Sequence, residues 1–176
     1  MILLGITGQK QSGKDTVLKC IRELLPHKAI LQRNFADALK QEVALACGVT
    51  LDFINENKDL FRPILQWWGT EFRRNLFGED YWIKKWLVEV HRASLKSPYL
   101  LVCTDVRFLN EAQAIRNLDG ILWRVYRTSN ALDTHKSETE LLNIDVSGII
   151  YNVSTLENLR EKTKNLLIKH GIYTTK

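Results

Sequence analysis

Three groups of residues in this 176-residue chain have the types and spacing to do chemistry. The first is Gly8-Gln-Lys-Gln-Ser-Gly-Lys14, followed by Asp15 and Thr16, which fits G-x-x-x-x-G-K. Such glycines let the backbone curl until successive N–H groups converge on phosphate oxygens. A following helix N-terminus adds about half a positive charge, and Lys14 is placed to reach the outer phosphates. Ser or Thr usually follows the lysine. Asp15 stands there instead, able to hold magnesium directly or through water, to orient an arginine, or to cap the helix. The second group is the cations Lys10, Arg62, Arg107 and Arg127; the planar guanidinium groups of the three arginines suit bidentate capture of phosphate. The third is Trp67, Trp68, Trp82 and Trp86. At helical spacing these read first as core, Trp86 above all, while Trp67 or Trp68, with Gly69 and Thr70, could line a base pocket. The base-reading motif of a GTPase switch is missing, because Asn57-Lys58-Asp59-Leu60 carries its aspartate one place too early, so such a switch is not expected.

The elements that must position these groups alternate. Ile2 to Thr7 is an apolar run that reads as a strand, and the loop hands over to a helix from Gly13 that must stop at Pro26. A strand over Ala29 to Leu31 precedes a helix from about Asp37 to Gly48. Leu51 to Arg62 is mixed and reads as loop. Two tryptophan-rich helices, about Pro63–Leu76 and Asp80–Leu95, flank Phe77-Gly78-Glu79. Pro98 to Thr104 is a buried strand, Asn110 to Leu118 a helix, and Ile121 to Tyr126 a strand. Thr128 to Lys136 is polar and irregular. A last strand begins at Gly148, and Ser154 with Glu157 forms the capping box of a final helix. Continuously apolar strands between helices predict an α/β fold with a five-stranded parallel sheet covered on both faces. Ligands in such sheets bind beyond the carboxyl ends of the strands, which puts Gly8–Thr16, Asp105–Arg107 and the loop after Tyr126 on one rim.

Composition sets the outer limits. At 45% hydrophobic and 26% charged the chain reads as globular, one domain over 1–176, without room for two cores. No apolar run approaches a membrane span and the start lacks a basic leader, so a cytoplasmic protein with no membrane partner is expected. Cys20, Cys47 and Cys103 show no metal-ligand spacing and read as reduced interior thiols. A net charge of +5, spread along the chain, suits an anionic small molecule better than a long polyanion.

Several segments together resemble the bacteriophage deoxynucleoside monophosphate kinases. These are Gly13-Lys-Asp-Thr16, Phe35-Ala-Asp-Ala-Leu-Lys40, Arg62-Pro-Ile-Leu-Gln-Trp-Trp-Gly-Thr70 and Tyr81-Trp82-Ile-Lys84. They continue in Thr104-Asp-Val-Arg-Phe-Leu-Asn-Glu111, Arg127 with Asp133-Thr-His-Lys-Ser-Glu138, and Asn152 before Thr155-Leu-Glu-Asn-Leu159. The resemblance implies a P-loop nucleotide-kinase framework: a three-layer sandwich, an acceptor-binding helical region over about 37–95 and a small lid over about 127–142. It implies ATP on Gln11, Ser12, Gly13, Lys14, Asp15 and Thr16, with Arg127 joining from the lid. Lys14, Asp15 and Arg127 are then the catalytic residues. The acceptor would be met by Lys10, Leu39, Lys40, Arg62, Trp82, Asp105, Arg107, Glu111, His135 and Glu138, and Asp15 and Asp105 are the candidate magnesium ligands. It also suggests a homodimer and a phage-infected bacterial host cytoplasm. Leu109 replaces a proline common in relatives, an exchange expected to be neutral. Gln11 stands where a basic residue can occur, which weakens a phosphate contact.

The expected reaction is ATP- and magnesium-dependent phosphorylation of deoxynucleoside monophosphates. Two phosphates must meet, and single charges 4 Å apart already repel by about 1 kcal/mol in water, so clustered cations are needed. The acceptor ionises near pH 6 and needs no base, which leaves Asp15 and Asp105 for metal or arginine positioning. A dephospho-coenzyme A kinase would keep the donor site but want a carboxylate base. A nucleotide-dependent nucleic-acid-binding module is the alternative from another class, disfavoured because the cations do not form one stripe.

Overall fold

The computed structural model describes residues 1–127 and 140–174. Its element order is β1 (Ile2–Thr7), α1 (Lys14–Leu24), β2 (Ile30–Gln32), α2 (Ala36–Cys47), α3 (Leu51–Glu56) and α4 (Lys58–Gln66). A π-helical stretch, Trp67–Arg74, carries α4 into the short α5 (Asn75–Phe77), followed by α6 (Tyr81–Ser94), β3 (Leu100–Val106) and α7 (Leu109–Arg116). Then come β4 (Ile121–Tyr126), a 3₁₀ turn (Glu140–Asn143), β5 (Gly148–Tyr151) and α8 (Leu156–Lys169).

The sheet has the order β2-β3-β1-β4-β5 and every pairing is parallel, as the apolar strands predict. Alternate residues of one strand feed opposite cores. Leu101 and Cys103 pack with Ile83, Trp86 and Val90 of α6 and Ala112 and Ile115 of α7. Leu100 and Val102 pack with Val17, Leu18 and Ile21 of α1 and Leu159 and Leu167 of α8. Helices on both faces make the three layers. Among the described residues no helix is long and apolar enough to cross a membrane.

Two expectations about elements fail. Leu51 to Arg62 is not loop but α3 and α4. The Thr50 hydroxyl accepts the Phe53 N–H at 3.1 Å to start α3, and Ile54 and Phe61 close a small third core with Val43 and Ala44. That burial, invisible as a local period, overrides the mixed sequence. At α8 the cap is Thr155, whose hydroxyl accepts the Asn158 N–H at 3.2 Å, one residue later than Ser154. Cys20 and Cys103 are interior thiols as expected, whereas Cys47, at the end of α2, is exposed.

Candidate active site

The loop between β1 and α1 is held in one shape by its backbone. Gly13 sits before α1 at φ +103°, a left-handed conformation, and a methyl group there would lie 2.4 Å from Asn152 Nδ2. That same amide donates to the Ser12 carbonyl at 2.9 Å, tying the segment after β5 to the loop. Gln11 is also left-handed, at φ +59°. Lys14 curls over the loop, its Nζ donating to the carbonyls of Gly8 and Gln9 at 2.6 and 2.7 Å. Ser12 is buried and its hydroxyl has no hydrogen-bond partner among the described residues.

A cleft of about 720 Å³ opens from this loop. It lies beyond the carboxyl ends of β1, β2 and β3 and is walled by α2, α4 and the π-helical stretch. Lys10, Gln11, Lys14 and Asp15 line one end. Leu39, Lys40, Arg62, Trp82, Asp105, Arg107 and Glu111, all expected around an acceptor, line the same space. Lys10 also pairs with the exposed Asp59 at 2.6 Å, and the Lys40 ammonium donates to Asn55 at 3.0 Å. Thr16, on α1, does not border the cleft. Arg127 follows β4 and borders a separate small crevice with Gly8, Gln9 and Leu142. His135 and Glu138, with most of the expected lid, lie outside the described residues.

The carboxylates divide by what already occupies them. Asp15 accepts the Thr104 hydroxyl at 3.3 Å with one oxygen, and its other oxygen has no partner among the described residues. Asp105 instead accepts the N–H groups of Phe35 and Ala36, at 3.0 and 2.8 Å, one on each oxygen. Both oxygens are thus engaged at the start of α2, where the helix dipole favours an anion, while the side chain still lines the cleft. Glu111 is committed too. One oxygen meets Arg74 Nη2 at 2.5 Å, and the other accepts the N–H groups of Arg107 and Phe108 at 2.8 and 3.2 Å. Burial pushes its carboxyl up to about 7, against the pull of the Arg74 guanidinium. The Glu111 side chain therefore braces the Arg107 backbone, and through it the wall of the cleft.

Several of these partners escaped the sequence reading. Arg74, only 3% exposed, also lies over the Phe108 ring at 3.8 Å and donates to the Glu79 carbonyl at 3.0 Å. Glu42 of α2 accepts the Trp68 indole, the Arg73 guanidinium, the Tyr81 hydroxyl and the Lys85 ammonium, at 2.7 to 3.2 Å. Burial alone would raise its carboxyl, but these four donors outweigh it and hold it below its ordinary value. The network fastens the π-helical stretch between α2 and α6. Trp68 is consumed by it and Trp67 is exposed against Phe72, so neither lines the cleft, while Gly69, Thr70 and Trp82 do. Trp86 is core, its Nε1 donating to the Arg33 carbonyl. Leu109 makes a contact of its own. Its N–H donates to Glu140 at 2.9 Å, a bond proline could not make, which fastens the 3₁₀ turn to α7.

Comparison with known proteins fits this geometry. The family model for deoxynucleotide monophosphate kinases matches residues 43–163. A protein of Acanthamoeba polyphaga mimivirus, provisionally assigned as a deoxynucleotide monophosphate kinase, is 30% identical over 184 residues, spanning 89% of this chain and 91% of that protein. In fold, the chain is similar to shikimate kinase from Aquifex aeolicus (TM-score 0.54, 16% identity, 98% of this chain and 100% of that one). A sugar kinase from Janibacter gives a TM-score of 0.52 at 15% identity, with 99% of each chain covered.

Proposed function

Because the chain belongs to the deoxynucleotide monophosphate kinase family, we propose that it transfers the γ-phosphoryl group of ATP, with magnesium, to deoxynucleoside 5′-monophosphates. The observation that carries this reading is a single cleft. The loop cations Lys10 and Lys14 open into the same space as Arg62 and Arg107, which come from elements remote in sequence. That is what joining two phosphates requires: a backbone cradle for the donor, guanidinium groups for the acceptor, and a short path between them.

In this reading the ATP phosphates lie along Gln11 to Thr16, with Lys14 leaving its loop carbonyls for the outer phosphates. The acceptor phosphate is met by Lys10, Arg62 and Arg107, and Leu39, Lys40 and Trp82 flank the nucleoside. Asp105 and Glu111 act at one remove, by fixing the start of α2 and the Arg107 backbone. Arg127, which follows β4 beside Gly8 and Gln9 of the loop, neutralises charge on the transferring phosphoryl group. An acceptor oxygen attacks the γ-phosphorus as the bond to the bridging oxygen of ADP breaks. No general base is needed, since the acceptor is largely ionised at neutral pH.

Magnesium fits the residues present. Among the described residues no group of three acidic, His or Cys side chains encloses a cation, and Asp15 keeps one carboxylate oxygen unpartnered beside the loop. The ion would be held by Asp15 together with ATP oxygens, the usual arrangement for magnesium, and would supply neutralisation between the two phosphates.

The test is a coupled assay for ADP with ATP and magnesium across dAMP, dGMP, dCMP, dTMP, their ribose counterparts and dephospho-coenzyme A. Turnover dependent on a deoxynucleotide is the expected result. Turnover with dephospho-coenzyme A alone, or ATP binding without any acceptor-dependent turnover, would overturn the proposal.

A further inference from the structure

Beside Asp59, Leu65 and Gly69, five polar residues of the cleft's helical wall keep a spacing that an ordinary α-helix could not hold on one side. Lys58, Arg62, Gln66, Thr70 and Arg74 recur at intervals of four, and all of them line the cleft. Four residues overshoot an α-helical turn by about 40°, so the last of the five would point about 160° away from the first. The π-helical stretch begins at Trp67, just after Gln66. With hydrogen bonds from i to i+5 and about 4.4 residues per turn, four residues there fall short of a turn by about 30°, and the drift reverses. The widened helix thus returns Thr70 and Arg74 to the cleft.

The chemistry of the stripe changes along its length. Lys58 and Arg62 stand at the end where Asp59 pairs with Lys10 of the phosphate loop. At the other end Arg74 is neutralised by Glu111. Between them, Gln66 and Thr70 are half-buried, and neither side chain has a hydrogen-bond partner among the described residues. A carboxamide and a hydroxyl in a half-buried wall gain most when a ligand completes them. At the α-helical 1.5 Å per residue, Gln66 lies about 6 Å beyond Arg62 along the axis, and Thr70 lies one widened turn further on. Those positions bracket the reach from an acceptor phosphate at Arg62 across a deoxyribose to its base. Trp82 borders the cleft but is 3% exposed, and its Nε1 is spent on the Gly69 carbonyl at 2.8 Å, so it offers a ligand no donor.

Resting on the kinase reading, we infer that Gln66, assisted by Thr70, is the specificity-determining residue that reads the hydrogen-bonding edge of the acceptor base. The carboxamide presents a donor and an acceptor side by side, so it selects a pattern rather than a charge.

The test compares kcat/KM for dAMP, dGMP, dCMP and dTMP in the wild type, Gln66→Leu and Thr70→Val, with inhibition by deoxyribose 5-phosphate reporting the phosphate site alone. The wild type is expected to prefer some bases. In Gln66→Leu the ratio of best to worst base should shrink about tenfold, the worth of one well-placed hydrogen bond. Thr70→Val should shrink it less, and inhibition by deoxyribose 5-phosphate should stay within about twofold of wild type in both. An unchanged base ratio in an active Gln66→Leu enzyme would overturn the inference. So would a wild type indifferent to the base, or a loss shared equally by all four substrates and by deoxyribose 5-phosphate. Absence of acceptor-dependent ADP from the wild type is a different result, which removes the kinase reading and this inference with it.

Discussion

The buried pair Arg74–Glu111 gives the sharpest test of how this cleft is held. Their side chains are 3% and 4% exposed, and Arg74 Nη2 lies 2.5 Å from Glu111 Oε1. Arg74→Met keeps most of the stem over Phe108 but strands the carboxylate. Removing one partner of a buried pair typically costs about 3–5 kcal/mol, because the other charge is left without compensation. Here the carboxyl has an escape, since burial already raises it from 4.5 to about 7 with the arginine in place. A carboxyl held higher in the folded than in the unfolded chain destabilises the fold as pH rises. For the wild type that loss starts near pH 4.5 and is complete once pH passes about 7. Without Arg74 the folded value climbs further, so the variant keeps losing about 1.4 kcal/mol per pH unit above 7 while the wild type does not. Below about pH 5 Glu111 is protonated in both, and only the lost hydrogen bond and ring contact, about 1–2 kcal/mol, separate them. Urea unfolding followed by tryptophan fluorescence at pH 5, 7 and 8.5 should therefore show a widening gap. The double variant Arg74→Met/Glu111→Gln has no carboxyl to titrate here, so its gap to the wild type should narrow between pH 5 and 7, where only the wild type loses stability through Glu111, and stay constant from pH 7 to 8.5. A constant difference for Arg74→Met across that range would refute the assignment of a stranded charge.

The phosphate loop carries two further predictions. Gly13→Ala must place a methyl group at φ +103° and 2.4 Å from Asn152 Nδ2, so the loop has to move and ATP affinity should fall at least about tenfold by calorimetry; wild-type affinity would show that the loop is not the donor site. Asp15→Asn should lower kcat while leaving every limb of the pH–rate profile in place, because the acceptor phosphate supplies its own ionised oxygen. Loss of one apparent pKa would make Asp15 a base instead.

How far the site can be read from sequence depends on whether a residue's role is decided locally. The loop from Gly8 to Lys14 is legible because its glycines, its lysine and the strand before it lie within one short stretch. The strands are legible because burial on both faces leaves no alternation to confuse, as Leu100 to Cys103 illustrate by feeding both cores in turn. Asp105 and Glu111 were recognisable by type but not by job. What decides their roles is a backbone N–H arriving from Phe35, 70 positions away, and a guanidinium from Arg74, 37 positions away. Glu42 had no local signature at all, since its four donors come from the π-helical stretch and α6. The stripe from Lys58 to Arg74 is the instructive case, because its signal was present in the sequence. Five polar residues at strict intervals of four cannot share one face of an unbroken α-helix. Either the stripe was accidental or the helix had to widen, and the cleft lined by all five decides for the second. Glu42 and its four donors hold the widened stretch in place, but they leave the Gln66 amide at its start unpartnered on the cleft wall, and a ligand that completes that amide accounts for it better than packing does.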